Sequence, residues 1–489
     1  MSGLLLAGAR LVGAQGTASE PVDVLVRDGR IAELGPALAA ADAERVELDG
    51  RFLMPGLWDG HVHTGQWAAV SRRLDLSAAG SAAEAAAIVR SRVDAGWDPD
   101  EILLGYGFRD ALWPDTPSAE LLAVGDVAVA LISADVHTVW SNAALLRRMG
   151  LADHEWWLNE QPAFDLGVRL SAADDATVDR WIADALHAAN ARGVTGIVDL
   201  DMRDTIGAWG RRVSGGLRSM RVRACVYPID FDTVRASGLR SGDLVPGSAG
   251  LATVGWYKLF TDGALNSRTA WTVDPYPDAG GTGLPTYPTD ADLLAAARDA
   301  WDAGLVPTIH AIGDRAVTQA LDTFAALDIP ASAPLPPRME HAQLMLASDV
   351  PRFAELGISA SVQPEHAMDD RDVADHHWAG RTERAFAFRW LYEAGVALEL
   401  GSDAPVAPLD PWATIAAAVT RSRDGREPWH PEQALPLSAA LRASWGGVAG
   451  IAVGGVADLA ILDADPHAVE ADALRTLPVH GAVVDGRLV

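Results

Sequence analysis

The chain has 489 residues, 49% of them hydrophobic, and a formal net charge of −27. This length suits a large α/β barrel with additions, or two to three domains, and the apolar content is enough for a sizeable core. The acidic balance argues against nucleic acid or an anionic membrane as partner, and we attribute it to a solvated acidic surface.

The two ends of the chain predict short strands. Residues 1–54 contain strand-like runs at 4–7, 22–26, 31–34 and 46–48, separated by stretches with Gly, Asp or Pro. Residues 447–489 show the same pattern. We therefore expect 1–54 and 447–489 to pair into one small β domain.

The middle of the chain, 55–446, alternates strand-like and helical runs, which is typical of βα units around a parallel sheet. Eight runs have strand character: 52–59, 194–200, 222–227, 254–260, 305–309, 338–340, 358–362 and 396–400. Eight strands predict a closed (β/α)8 TIM barrel.

The gap between the first two barrel strands is too long for one helix. We interpret about 76–180 as one helix plus an inserted subdomain. Because an insertion after a barrel strand lies on the face where βα loops gather, we expect it over the active site. Trp140 and its neighbouring aromatic residues would either wall a pocket there or pack the insertion against the barrel.

Potential metal ligands follow several predicted strands. His61 and His63, spaced i, i+2, fall on one face of a strand. His310, His341 and Asp403 lie at the ends of the fifth, sixth and eighth candidates. Neutral imidazoles and a carboxylate suit Zn²⁺ or a similar ion, which lowers the pKa of a bound water toward ~7. Asp403, beside that water, could take its proton and pass it to a leaving group.

Lys258, in the fourth candidate strand, leaves two interpretations open. As an ammonium it cannot ligate a metal, and a salt bridge to Glu340 or Asp262 is one explanation of its position. Carbamylated by CO2, it would become an anionic oxygen ligand able to bridge two ions.

The sequence motifs as a set resemble the amidohydrolase superfamily, and within it amidohydrolase family 3, which includes N-substituted formamide deformylases. The matching segments are PGLWDGHVH (55–63), KLFTDGAL (258–265), SRTA (267–270), HAIGDRA (310–316), EHAQ (340–343), GSDAPV (401–406) and GGVADL (454–459). The resemblance spans nearly the whole chain.

It implies a metal-dependent (β/α)8 hydrolase with a small β-sandwich built from both termini. His61 and His63 would bind the more buried metal, and His310 and His341 the second. Asp403 would be ligand and proton shuttle, and Lys258 the carboxylated bridge. Asp403, His341 and Lys258 are then the expected catalytic residues.

Two segments depart from the family pattern. Asp135-Val136-His137 stands where Asp-Gly-His is usual, with Trp140 and Asn142 in place, and Asn266 stands where Gly is usual. We expect His137 and Trp140 to contact substrate, His137 having a capping or core role as its alternative. Arg268 could hold a substrate carboxylate or carbonyl, or clamp its loop to Asp262. His366, after the seventh strand, is expected in the pocket.

These observations predict a hydrolase of amide-type C–N bonds, such as an N-substituted formamide, with one or two divalent ions, Zn²⁺ foremost. The alternatives are hydrolysis of an ester, carbamate or cyclic amide at the same site, a metal-dependent isomerase or lyase, and a non-catalytic barrel scaffold. The filled ligand positions count against the scaffold. The expected partner is a small molecule, with a homodimer as the default assembly. A single cysteine, Cys225, excludes an intramolecular disulfide and fits a cytoplasmic location.

Overall fold

The computed structural model describes residues 3–489 except 109, 111–112, 134–137, 153, 160, 172 and 278–279. The described residues form three sheets. The chain divides into two compact units, the first made of Met1–Thr64 and Leu186–Val489 and the second of Gly65–Ala185.

The strands are, in chain order, β1 (Gly3–Gly13), β2 (Gly16–Thr17), β3 (Val22–Arg27), β4 (Arg30–Gly35), β5 (Ala43–Glu47), β6 (Phe52–Pro55), β7 (Leu57–Val62), β8 (Leu74–Asp75), β9 (Ile102–Phe108), β10 (Ala128–Ser133), β11 (Thr138–Ser141), β12 (Trp157–Asn159), β13 (Val194–Asp199), β14 (Arg221–Val226), β15 (Ala252–Phe260), β16 (Pro307–Ala311), β17 (Arg338–His341), β18 (Ser359–Val362), β19 (Leu398–Leu400), β20 (Leu459–Leu462), β21 (Val479–Val484) and β22 (Arg487–Leu488).

The α-helices are α1 (Thr64–Ser71), α2 (Ala82–Asp94), α3 (Ala143–Arg148), α4 (Gln161–Ser171), α5 (Asp175–Asn190), α6 (Thr205–Ser214), α7 (Phe231–Ser237), α8 (Asp290–Asp302), α9 (Asp314–Leu327), α10 (Val350–Glu355), α11 (Pro364–His377), α12 (Phe388–Glu393), α13 (Pro411–Thr420) and α14 (Leu437–Ala443).

Both termini contribute to one nine-stranded, mostly antiparallel sheet. Its order is β22-β21-β20-β6-β1-β3-β4, and β2 and β5 also pair with β1. Buried side chains from both ends of the chain share one core, among them Leu6, Val24, Leu53, Ile461 and Val483. The predicted pairing of the two ends is therefore confirmed, while the exact domain boundaries stay a prediction.

Eight parallel strands form the barrel, in the order β7-β13-β14-β15-β16-β17-β18-β19. Helices follow the strands from β13 onward, as expected for βα units. The first and last strand ends meet through backbone hydrogen bonds from Asp403 N–H to the His61 carbonyl (2.8 Å) and from His63 N–H to the Ala404 carbonyl (2.9 Å). The predicted TIM barrel is confirmed.

The first predicted strand, 52–59, is wrong as a single element. Its first half is β6, which pairs with β1 and β20 in the terminal sheet, and its second half begins barrel strand β7. Gly56 separates the two, and a Cβ there would lie 2.0 Å from the Thr195 hydroxyl oxygen. Only glycine permits this close approach. The Pro55-Gly56 dipeptide, a turn signal inside an otherwise apolar run, marks the change of sheet in the sequence.

The second unit has a five-stranded sheet of its own, in the order β12-β11-β10-β9-β8. Ser81 is the N-cap of helix α2, and its hydroxyl accepts a hydrogen bond from the Glu84 N–H. The predicted insertion, about 76–180, falls within this unit, and its bounds and its position over the active site stay predictions. Among the described residues, no helix is both long and apolar enough for a membrane span.

Candidate metal centre

The carboxyl ends of the barrel strands carry the predicted ligands. His61 lies near the end of β7 and His63 just beyond it, Lys258 is in β15, His310 in β16 and His341 at the end of β17. Asp403 follows β19. Parallel strands of a barrel bring these ends to one face, which is where TIM-barrel active sites lie.

The first donor group contains His61, His63 and Asp403, whose ligand-type atoms lie within 4.8 Å of one another. Asp403 Oδ1 is 3.4 Å from His61 Nε2 and 3.1 Å from His63 Nε2. Nitrogen and oxygen donors at this spacing suit a first-row divalent ion.

A second donor group contains His341, His366 and again Asp403. His366 comes from the first turn of α11 rather than from a strand. His310, predicted as a ligand, lies beside this group but is not part of it: its ring centroid is 4.5 Å from that of His341.

Hydrogen-bond acceptors beside His61 and His341 determine which ring nitrogen carries the proton. His61 Nδ1 is 2.9 Å from Glu340 Oε2, and His341 Nδ1 is 2.9 Å from Gln363 Oε1. Each acceptor takes the N–H of Nδ1, so the Nε2 lone pair is left for a metal.

His310 has the opposite arrangement. Its Nε2 is 3.1 Å from the Gly263 carbonyl oxygen, which leaves the Nδ1 lone pair free. Sequence reasoning assigned no role to Gln363 and mentioned Glu340 only as a partner of Lys258. Gln363 directly follows β18, and this strand-end position was a signal that could have found it.

Burial keeps these imidazoles neutral. It lowers the pKa of His61 to about 4 and that of His310 to about 3. Burial also lowers the pKa of His341 well below its usual value. Neutral imidazole is the form that binds metals, so the histidines are ready to ligate at neutral pH.

The two carboxylates of the site are ionised. Burial alone would raise the pKa of Asp403, but the neighbouring histidines hold it well below its usual range. Burial likewise opposes ionisation of Glu340, and the Arg338 guanidinium and His61 keep its pKa well below normal. Arg338 Nε is 2.9 Å from Glu340 Oε1, and Thr308 donates to the same oxygen at 2.6 Å.

Lys258 is the only lysine in the chain, and its side chain is 1% exposed. Burial lowers its pKa. Among the described residues no carboxylate lies within ion-pair distance of its Nζ, which instead faces the Phe260 ring at 5.1 Å. Asp262 accepts hydrogen bonds from the backbone N–H groups of Trp271 and Gly313, both at 2.8 Å. The salt-bridge interpretation of Lys258 therefore finds no support.

The backbone at the site is held in unusual conformations. His341 has φ 72° and Asp403 has φ 57°, and both values lie in the left-handed region that residues other than glycine rarely adopt. Asp59 Oδ1 accepts hydrogen bonds from His61 N–H (3.0 Å) and Ser402 N–H (2.9 Å) and so joins the first strand to the last. Such strain is typical of functional sites, where the surroundings hold it in place.

The predicted substrate residues fall in different places. Arg268 is exposed in the loop after β15, with φ 56°. Trp140 is fully buried in the core of the second unit, and its indole N–H donates to the Ser118 carbonyl at 3.0 Å. The described contacts of Trp140 are those of a core residue within the second unit, and its contact with substrate stays a prediction. His137 lies outside the described residues.

The donor set fits a divalent metal. Asp403 Oδ1 and His366 Nε2 are buried, and neither has a hydrogen-bond partner within the described part of the chain. Buried polar atoms are rarely left unsatisfied unless a water, an ion or a functional role accounts for them. Their nitrogen and oxygen chemistry is that of a Zn²⁺-type site.

The fold and the site together define a TIM-barrel protein with a candidate metal centre at the carboxyl ends of its strands. Residues 44–489 match the family model described as the amidohydrolase family. The chain belongs to this family, whose members are metal-dependent hydrolases.

Two relatives match almost end to end. The putative amidohydrolase YtcJ of Bacillus subtilis is 26% identical, over 95% of this chain and 94% of its own length. The N-substituted formamide deformylase of Arthrobacter pascens is 26% identical, over 99% of this chain and 97% of its own length. A metal-dependent hydrolase from Pyrococcus horikoshii, of 24% identity, superposes with a TM-score of 0.79 over 96% of this chain and 99% of its own, which shows the shared fold.

Proposed function

We propose that this protein hydrolyses an amide-type C–N bond in a small molecule, an N-substituted formamide or a related amide, with a divalent metal. The observation that carries the proposal is the buried set of imidazoles arranged around the ionised Asp403. The end-to-end likeness to the A. pascens protein, named an N-substituted formamide deformylase, supports the substrate class.

The residues that would hold one or two ions are His61, His63, Lys258, His310, His341 and Asp403. When bound, Zn²⁺ or a similar ion supplies a Lewis acid for the substrate carbonyl and lowers the pKa of water at the site. The imidazole-rich donor set is the reason for placing Zn²⁺ first.

Asp403 is the proton carrier of this proposal. It is ionised and buried, so it can accept the proton of the attacking water and deliver it to the nitrogen of the departing amine. The same carboxylate faces both donor groups, which puts it beside any substrate carbonyl bound there.

Lys258 contributes as a carboxylated lysine. Burial favours its neutral amine, and the neutral amine is the form that attacks CO2, forming an N–C bond and releasing one proton. The product is an anionic oxygen ligand. With His341 and Asp403, it completes the proposed catalytic residues.

Substrate contacts come from the loops. Arg268, exposed after β15, would hold a substrate carboxylate or carbonyl by paired hydrogen bonds. His137 stays a prediction for the same pocket. We further expect a cytoplasmic homodimer, from the lone cysteine and from the commonest closed assembly respectively.

The test begins with metal content per chain by ICP-MS on protein purified without chelators. Turnover of N-substituted formamides, esters, carbamates and cyclic amides is then measured before and after chelation and Zn²⁺ add-back. Formamide turnover that chelation abolishes and Zn²⁺ restores is the expected result.

Other outcomes separate the alternatives. Turnover of esters or cyclic amides alone would move the substrate class while keeping the site. Products without ¹⁸O from labelled water would indicate an isomerase or lyase. Protein that neither contains nor takes up metal would refute the proposal and revive the scaffold.

A further inference from the structure

His366, expected in the pocket as a substrate contact, lies beside the candidate metal ligands His341 and Asp403. It is the third residue of α11, it is 5% exposed, and its Nε2 lies 3.8 Å from Asp403 Oδ2. Its ring is stacked on that of His341, with centroids 6.2 Å apart and planes inclined by 13°. No hydrogen-bond partner of Nε2 is found among the described residues.

We propose that His366 is itself a metal ligand and that, with His341 and Asp403, it forms the second metal position. The proposal rests on the function proposed above. It changes the ligand set taken from the family resemblance, in which His366 had no place at the metal and His310 did.

The spacing between His366 and Asp403 fits two ligands of one ion better than a hydrogen bond. A hydrogen bond between nitrogen and oxygen needs about 2.7–3.2 Å. Two ligand atoms about 2.1 Å from one ion and subtending about 110–130° lie about 3.4–3.8 Å apart. The observed 3.8 Å falls at the end of the second range and outside the first.

Asp403 offers one oxygen to each group. Its Oδ1 faces His61 and His63, at 3.4 and 3.1 Å, and its Oδ2 faces His366. A carboxylate used in this way serves two metal positions. In this arrangement Lys258 is not the sole link between them.

The first turn of α11 is anchored, as a ligand-bearing segment needs to be. Glu365, next to His366, is buried and takes ion pairs from Arg423 at 3.1 Å and Arg475 at 2.7 Å. One turn further on, the Asp370 carboxylate accepts a hydrogen bond from the Asn266 side chain at 2.9 Å. These contacts hold the imidazole in place before any metal arrives.

Gln343 lies beside the other ring nitrogen of His366. Its Nε2 is 3.4 Å from His366 Nδ1, and its Oε1 is buried with no partner among the described residues. The two ends of a carboxamide are interchangeable by a 180° rotation. With the oxygen turned toward the ring, Nδ1 would be the donor and the Nε2 lone pair would be left for a metal.

The experiment compares the wild-type chain with His366→Ala and with His376→Ala. His376 is an exposed histidine near the other end of the same helix and provides the matched control. Apoprotein is titrated with Co²⁺, followed by visible absorption and by equilibrium dialysis with ICP-MS. Far-UV circular dichroism checks the fold, and His366→Gln replaces the alanine variant if that one does not fold.

We expect two ions per chain in wild type and in His376→Ala. In His366→Ala we expect one ion, or a second ion bound at least about 10-fold more weakly, with a changed Co²⁺ spectrum. Unchanged stoichiometry, affinity and spectrum in His366→Ala would overturn the proposal. If turnover fell in that variant while its metal binding stayed normal, His366 would be a substrate contact, and the proposed hydrolase would still stand. Wild-type protein that binds no metal would overturn both.

Discussion

Gln363 gives the sharpest test of the idea that residues behind the ligands tune the metal site. Its Oε1 accepts the Nδ1–H of His341 at 2.9 Å, and both side chains are buried. In Gln363→Leu the acceptor is removed. The imidazole then keeps a buried, unsatisfied N–H, or moves its proton to Nε2 and blocks the ligand atom.

The size of the effect follows from that choice. A buried donor without a partner costs about 1–3 kcal/mol. The imidazole adopts whichever arrangement costs less, the unsatisfied N–H or the proton on Nε2, so the free energy of metal binding weakens by at most this amount. This corresponds to roughly a 5- to 150-fold loss of metal affinity, a range that includes the about 10- to 100-fold typical of such supporting residues. Gln363→Glu keeps the acceptor and makes it anionic, so its metal affinity should equal or exceed that of wild type.

The assay is competition for Zn²⁺ between the protein and a chelator of known affinity, with thermal unfolding of the apoproteins as a check on the fold. Loss in Gln363→Leu together with retention in Gln363→Glu is the expected pattern. Equal affinities in all three proteins would show that Gln363 does not support a ligand. Equal losses in both variants would point to packing rather than to hydrogen bonding.

Four further predictions concern single residues. Asp403→Asn should keep the fold, because Asn tolerates a positive φ, but should lower kcat by about 10²- to 10⁴-fold. The control is Asp49→Asn, an exposed position that also has a positive φ, where no change in kcat is expected. Full activity of Asp403→Asn would show that Asp403 is not the proton carrier. With ¹³C-bicarbonate, wild type should show one carbamate ¹³C resonance that Lys258→Ala lacks, and a signal shared by both would come from the N-terminus instead. Glu340→Gln should destabilise the apoprotein by about 1–3 kcal/mol in urea unfolding, because it removes the charge of one of the two carboxylates that pair with the buried Arg338, Glu399 being the other. A cost below about 0.5 kcal/mol would contradict the ion-pair argument. Burial raises the pKa of Cys225 to about 12, so the native thiol should resist a disulfide reagent at pH 8 and react once unfolded. The stability linked to this thiol is full below its unfolded pKa of about 8.5 and is lost as the pH rises toward 12, and rapid reaction of the native protein would contradict its burial.

The barrel was predictable because its strands are buried on both faces. Such strands appear in the sequence as short apolar runs, and 222–227 and 254–260 correspond to β14 and β15 within two residues. The same property caused the error at 52–59, where one apolar run covers two strands of different sheets. Hydrophobicity reports burial but not which neighbour a strand pairs with.

The candidate site was predictable only in part. Five residues were identified from their positions at strand ends, because a barrel brings the carboxyl ends of its strands to one face. Four of them are in the two donor groups and the fifth lies beside them: His61, His63, His341 and Asp403, and then His310. His366 was expected in the pocket but not next to Asp403, because it lies on a helix and nothing in the local sequence says which way the first turn of α11 faces. The acceptors Glu340 and Gln363 act on histidines of other strands, and such contacts depend on the register between strands.

Trp140 shows how little an aromatic residue in a sequence reveals about its role. A tryptophan in the sequence can line a pocket or pack in a core, and only its surroundings in the structure distinguish the two roles. Here Phe108, Trp113 and Trp157 lie within 6.5 Å of its ring, centroid to centroid, and its indole N–H is satisfied by a carbonyl. Aromatic richness therefore says little about the substrate.

Lys258 links the composition of the chain to its chemistry. It is one of 39 Lys and Arg residues, and every other one is Arg. Arginine supplies every other basic side chain that this protein places on its surface or in ion pairs, apart from histidine, and it keeps its proton in a folded chain. Under the proposed carboxylation, the residue at this position has to become a neutral amine, which lysine can do and arginine cannot. The position of the single lysine inside the barrel, with its pKa lowered and no carboxylate of the described residues paired with it, is therefore what a carboxylated ligand requires and what a structural salt bridge does not.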